Sequence, residues 1–308
     1  MSGLAIQLFG KFTIQADGKR LGGIDSSKVQ ELLAYLLVYR DRPHARESLA
    51  DLLWEASSTA QSKKYLRQTL WQMQQWIPKT ECEQLIRIEP DWIRISPEAN
   101  YWLDVAEFER MSALVHGVPG HQLGDKIVAL LVQAVGYYRG DLLEGWYSDW
   151  CLYERERLQN MWLAALDKLM SYCEANGDFE AGLSYGMRVL RDDHARERTH
   201  RRLMRLAYLA GDRTGALRQY DRCFQALEEE LNVRPSGRTE ELHQHILDDT
   251  MDSGRIVEPR LPQATVSGRL DQLRSILTQL REHVSEDLDA LDHALTEPDE
   301  PGSGLQAH

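Results

Sequence analysis

The residues best equipped for chemistry lie between Ser62 and Gln75, where Lys63, Lys64 and Arg67 are interleaved with Gln68, Trp71, Gln72 and Gln75. Ammonium and guanidinium groups bind phosphate oxygens or guanine edges, and a Gln amide can pair with the adenine edge through two hydrogen bonds. Leu66, Leu70, Met73 and Ile77 recur at helical spacing and form one apolar stripe. A step of about 100° per residue then turns Lys64, Gln68, Trp71 and Gln75 to the opposite face, with Arg67 and Gln72 beside it. Ser62 and Lys63 stand at the head of the same set. The run Ala56 to Lys79 contains four cations and no acid. Two readings of this face are open: a groove-reading surface, or a solvated helix surface with no partner.

A second cationic pair sits in LIRIEPDWIRIS, residues 85–96, which reads as two alternating strands around Glu89-Pro90-Asp91-Trp92. A two-residue loop at Pro90-Asp91 places Glu89 opposite Trp92, Ile88 opposite Ile93, and Arg87 opposite Arg94. Like charges facing across strands are unfavourable unless they share an anion, and a DNA phosphate is such an anion. Alternatively the two guanidinium groups spread into water or lean on Glu83 and Glu89.

These residues need elements to hold them. Leu4, Ile6 and Leu8, then Phe12 and Ile14, alternate around an Asp17-Gly18 turn, predicting a short antiparallel start. Val29, Leu32, Leu33, Leu36 and Leu37 predict a helix with Ser26 or Ser27 as N-cap, closed by Pro43. A second helix is expected over Arg46 to Trp54, with Leu49, Leu52 and Leu53 inward, and a third over Lys63 to Ile77, ended by Pro78. Strands, three helices and a terminal hairpin follow the order of a winged helix-turn-helix, in which the third helix enters the major groove and the hairpin touches flanking backbone.

After Asp104 the chain reads as almost wholly helical. Leu169-Met170, Gly177-Asp178, Gly182 and Leu190 recur 34 residues later as Leu203-Met204, Gly211-Asp212, Ala216 and Phe224. That is the tetratricopeptide period, in which helix pairs turn at Gly-Asp and small residues admit close approach. Two repeats are too few to stand alone, so helices between Phe108 and Gly145 are expected to complete the stack. The fold class expected is mainly α with a small β component. We divide the chain into a winged helix over 1–104, tetratricopeptide-like helices over 105–250, a linker over 251–267, a helix over 268–296 and a disordered tail over 297–308. Leu270, Leu277, Val284 and Leu291 fall seven apart, which fits either a dimerising coiled coil or a helix folded onto the body.

Composition bounds the function. The 308 residues carry net charge -12, with 36 Lys+Arg against 48 Asp+Glu. Residues 1–105 hold 13 of each sign, so the remainder carries the whole excess of acid. Overall acidity argues against a protein that coats DNA without selectivity. There is no secretion signal and no run of 18 apolar residues, so we expect the cytosol and no membrane. Cys82, Cys151, Cys173 and Cys223 make no C-x-x-C pair and are expected to be reduced and buried, without a disulfide or zinc. The sequence contains no H-E-x-x-H, no G-x-S-x-G and no G-x-x-x-x-G-K-[ST] loop. His243 and His245 lie two apart on an expected helix and point to different sides, which is wrong for a ligand pair. We therefore expect no enzyme, no cofactor and no metal.

The strings GDLLEGWYSDWCLYERERL, ANGDFEAG and DDHARERTHRRLMRLAYLAGDRTGALRQYDRCFQALEEELNVRPS resemble the bacterial transcriptional activator domain of regulators of the antibiotic regulatory protein type. LFGKFTIQADGKRLGG, KVQELLAYLLVYRDRPHARESLADLLW and YWLDVAEFE resemble the response-regulator-type winged helix that precedes it. The likeness spans roughly residues 4–248. It implies binding to double-stranded promoter DNA, often at direct repeats, and recruitment of RNA polymerase to activate transcription. Two departures stand out. Met73-Gln74-Gln75 replaces a cationic end of the recognition helix, and Pro90-Asp91-Trp92 replaces a glycine-rich wing turn. Fewer cations mean fewer phosphate contacts and a shallower salt dependence, which makes a second protomer, joined through residues 268–296, or a polymerase partner more necessary. The competing function is a protein-binding adaptor that uses the helical repeats while the winged helix binds no DNA.

Overall fold

A computed structural model describes residues 4–21, 26–76 and 85–250; for Trp76 it describes the backbone alone. The linker, the heptad segment, the tail, Ile77, Pro78, Cys82 and Glu83 lie outside the described residues. The described residues are mainly helical, with two small sheets.

Strands β1 (Leu4–Gln7) and β2 (Thr13–Ala16) pair antiparallel, and β3 (Lys19–Arg20) extends β2. Leu4, Ile6, Leu8 and Ile14 are buried, as their alternation requires, while Phe12 is half-buried. Asp17 and Gly18 take φ of 48° and 76°, the left-handed pair that matches a two-residue turn to strand twist. Helix α1 (Ser27–Val38) buries seven side chains. Ser26 occupies its N-cap position without a side-chain hydrogen bond, so its carbonyl alone receives the first N–H groups. A two-residue strand, β4 (His44–Ala45), leads into α2 (Arg46–Leu53), where Leu49 and Leu53 are buried and Leu52 only half so.

Helix α3 (Thr59–Trp76) begins four residues before the start expected from its first lysine. Thr59, Ala60 and Gln61 carry no apolar signal, so periodicity could not mark that turn. The hairpin is β5 (Ile86–Ile88) with β6 (Trp92–Ile95), and β4 joins the outer side of β6 to make a three-stranded sheet. Strand β7 (Tyr101–Leu103) returns to the first sheet and runs parallel to β1, giving the order β3-β2-β1-β7.

Helix α4 (Asp104–Ala113) starts without a break from β7. A 3-10 turn at Gly120–Gln122 and α5 (Asp125–Tyr137) follow, then the long α6 (Asp149–Asn176), α7 (Phe179–Asp192), α8 (Glu197–Leu209), α9 (Arg213–Leu231) and α10 (Gly237–Leu247). The 34-residue spacing is visible in the turns. Gly177 and Gly211 both have positive φ, 74° and 83°. Asp178 N donates to Cys173 O at 2.9 Å and Asp212 N donates to Ala207 O at 2.9 Å, the same helix-ending bond 34 residues apart. Asp178 and Asp212 then cap the next helix by accepting Ala181 N at 3.4 Å and Gly215 N at 2.7 Å. The equivalence fails at one place: Leu190 is buried, but Phe224 is 38% exposed.

One core runs from Leu4 through α1, α3 and α4 into α6, with a smaller cluster of Met170, Leu190, Leu203 and Leu206 further along. The front and the helical body are also sewn together by polar contacts. Gly10 N donates to Asp141 O, Leu143 N to Leu8 O and Glu144 N to Gly10 O, each at 2.8 Å. The Arg155 guanidinium donates to the carbonyls of Leu142, Leu143 and Trp146 at 2.9–3.0 Å and so shapes that loop. Glu109 accepts from Arg40 at 2.6 Å and Arg157 at 2.5 Å, bridging the end of α1 to α4 and α6. Cys151, Cys173 and Cys223 are buried free thiols. Among the described residues no helix is long and apolar enough to cross a membrane, and no group of three or more His, Cys, Asp or Glu could hold a metal.

Candidate nucleic-acid interface

Helix α3 packs on α1 and α2 through Leu66, Leu70 and Met73, all 3% exposed or less. Its opposite side is open: Lys64, Arg67, Gln68, Trp71 and Gln75 are exposed, and Lys63 and Gln72 half-buried. Among the described residues neither Lys64 nor Arg67 has an ion-pair partner. Trp71 is 60% exposed, so its indole does not pack into a neighbouring loop.

Ser62 departs from the expected set. It is 1% exposed and its hydroxyl donates to Thr59 O at 3.1 Å, within the first turn of the helix. The longer helix places Ser62 on the inner side near Leu66, and its side chain is not available to a ligand. Lys63 is engaged as well, at 2.5 Å from Glu47 of α2. That ammonium holds the Glu47 carboxyl below the usual carboxylate range. Both partners are open to water, so exchanging Glu47 for another anion costs little.

The hairpin has the register expected from its sequence: Arg87 pairs with Arg94, Ile88 with Ile93, and Glu89 N donates to Trp92 O at 2.8 Å. Arg87 leans on Glu89, Nε to Oε1 at 3.1 Å. Arg94 has no such relief; its Nε is buried and has no hydrogen-bond partner among the described residues. Ile93 and Ile95 face the core and fix this strand, while Trp92 at its start is 47% exposed.

Arg46 ties the helices to the hairpin, and periodicity gave no sign of it. Its backbone N donates to Asp91 O at 3.0 Å and its Nη1 to Glu89 O at 3.3 Å. With the β4–β6 pairing, this pins the first residue of α2 to the hairpin turn. A cleft of about 220 Å³ results, lined by Arg46, Glu47, Lys63, Leu66, Arg67 and the Pro90-Asp91 turn. Tyr65 of α3 lies against Trp54, ring centres 6.0 Å apart, and at the end of α2 the Lys28 Nζ donates to Leu53 O at 2.8 Å. The structure thus brings Lys63 and Arg67 beside the hairpin turn.

Comparison with known proteins bears on the rest of the chain. Residues 103–247 match the bacterial transcriptional activator domain family. No curated protein matches the chain. Among solved structures, it is similar to Mycobacterium tuberculosis EmbR in complex with a low-affinity phosphopeptide, with TM-score 0.61 and 20% identity. The alignment covers 81% of this chain and 66% of that one, so this chain spans just under two thirds of the protein it resembles. The likeness is one of fold.

Proposed function

We propose that this chain is a transcriptional regulator that grips double-stranded promoter DNA as a winged helix-turn-helix, with α3 in the major groove and the β5–β6 hairpin on flanking phosphate. Helices α4–α10 then engage RNA polymerase and activate transcription. The observation that carries the reading is the open face of α3. An 18-residue helix about 27 Å long buries one stripe and presents cations, amides and an indole along the other. Lys64 and Arg67 supply free charge, and Gln68 and Gln75 supply the two-bond amide geometry that reads adenine. Among the described residues the Arg94 guanidinium has no acid beside it, so a phosphate at the hairpin would offset the charge it sets against Arg87. The match of residues 103–247 to an activator domain supports the transcriptional role, and the division into a front over 1–104 and a helical body over 105–250 goes with it.

The test is fluorescence anisotropy of full-length protein with genomic promoter fragments at two salt concentrations. A sequence-selective complex that weakens with salt is the expected result. Flat traces at low salt overturn it and favour the adaptor, in which the same face holds a protein. Light scattering on the full chain, against a chain ending near Met251, tests the further proposal that residues 268–296 make a dimer.

A further inference from the structure

We propose that a pocket formed by α7, α8 and α9 binds an organic acid, a small molecule carrying a carboxylate on an apolar body. The cavity measures about 460 Å³ and is lined by Met187, Leu190, Arg191, His200, Gln219 and Arg222. That is within the usual size of small-molecule sites, about 300–1,000 Å³, and the mixture of apolar wall and few converging polar groups is their usual chemistry. Leu190 is 7% exposed and Met187 48% exposed, so the apolar surface runs from floor to mouth.

The arginine charge in the pocket is uncommitted, while His194, also in the lining, lies 3.8 Å from Glu230. Among the described residues Arg191 has no ion-pair partner, and Arg222 makes only a 3.4 Å bond to Gln219 Oε1. A neighbouring cleft of about 490 Å³ makes the contrast, being lined by Arg198, Arg201, Arg202, Arg205 and Arg238. There Asp167, Glu174 and Glu197 already hold the first four. Richer in arginine, it is poorer in free charge.

The wall of the pocket is built rather than incidental. His200 and Gln219 are 3% and 5% exposed. His200 lies 2.7 Å from the carbonyl of His194, which can only accept, so Nε2 carries the proton. Its Nδ1 then accepts the Gln219 amide N–H at 2.7 Å, and this leaves Gln219 Oε1 turned toward Arg222. Burial holds His200 below the usual histidine range, so the ring is neutral at pH 7 and the relay stays in one arrangement. The relay orients one guanidinium, Arg191 supplies a second, and Leu190 and Met187 take the apolar body. The site stands whether or not α3 binds DNA.

The experiment titrates the full chain with 1-naphthylacetate, following naphthyl fluorescence and the Met187 methyl resonance, with 1-naphthaleneethanol as the uncharged analogue. We expect saturable one-to-one binding, a shift at Met187, and at least tenfold weaker binding of the alcohol. The surface double variant Arg191→Met, Arg222→Met should lose at least tenfold in affinity with an unchanged circular dichroism spectrum. Ala226 also lines the pocket, and Ala226→Trp, which fills the cavity, should abolish binding. The proposal is overturned if the acid does not bind, if the alcohol binds equally well, or if the arginine variant binds as the parent does.

Discussion

Arg87 and Arg94 stand directly opposite each other across β5 and β6, and among the described residues only Arg87 of the two has an acid beside it. The pair is therefore unequal: one guanidinium is neutralised by Glu89, while the other keeps a buried N–H with no acceptor among the described residues. A hairpin built only for stability has little use for that arrangement.

Arg94→Leu should therefore act in opposite directions on stability and on binding. Removing the facing charge should stabilise the free protein by about 0.2–1 kcal/mol. The same change should weaken complexes with all DNA sequences about equally and reduce the salt slope by about one unit. Thermal melts and anisotropy at several salt concentrations check both. An Arg94→Leu protein that melts lower and binds unchanged would place this strand outside any DNA contact.

Gln68→Ala and Lys64→Ala should differ in kind. Loss of the amide should change base preference at one position by about 1–3 kcal/mol, whereas loss of the ammonium should lower affinity for every sequence alike. Selection from a randomised duplex pool separates the two outcomes.

Asp104 fixes the end of β1 from 96 residues away, accepting Leu8 N at 2.9 and 3.0 Å and Phe9 N at 3.0 Å. Asp104→Ala leaves those buried N–H groups unpaired and should cost about 1–3 kcal/mol for each group left without a partner, read by urea unfolding. Burial pushes its carboxyl up to about 6, against the downward pull of those N–H bonds and of Val105 N. Because the folded value lies above the unfolded one, the folded state binds the proton more tightly. The group's contribution to stability is then fullest below about pH 4 and is lost as the pH rises to about 6. Unfolding curves across that window should show the slope in the parent and not in Asp104→Ala.

In the helical body, Gly186→Ala should cost more than Gly182→Ala. A methyl at Gly186 would meet Leu203 Cδ2 at 2.5 Å and Met170 Cε at 2.9 Å, whereas at Gly182 the nearest atom is 3.1 Å away. Overpacking of this kind costs about 1–3 kcal/mol, and chemical denaturation of the two variants gives the ranking.

These residues also mark how far the sequence could be read. The hairpin register, the stripe of α3 and the Gly-Asp turns of the helix pairs were legible, since each rests on a period or a turn within a few residues. The inward turn of Ser62 was not, because the helix begins at Thr59 through residues without apolar signal. Gly182 was legible from the repeat, but Gly186 has no counterpart 34 residues later and shows its role only once Leu203 is packed on it. Arg46, Asp104 and the His200–Gln219 relay act across long separations that no local pattern encodes. Phe224 stands at the repeat position of Leu190 and is nonetheless exposed, for a period fixes a helix and its turn, not what covers its outer side.

The hydrogen-bonded seam between residues 8–10 and 141–144, with Arg155 bonded to its carbonyls, ties the first sheet to the loop that leads into α6, and one apolar core runs from α3 to α6. In the regulator proposed above, bound DNA would then present the helical body at one fixed azimuth around the double helix. Inserting half a turn, about 5 base pairs, between operator and promoter should silence activation, and a full turn of about 10 should restore it.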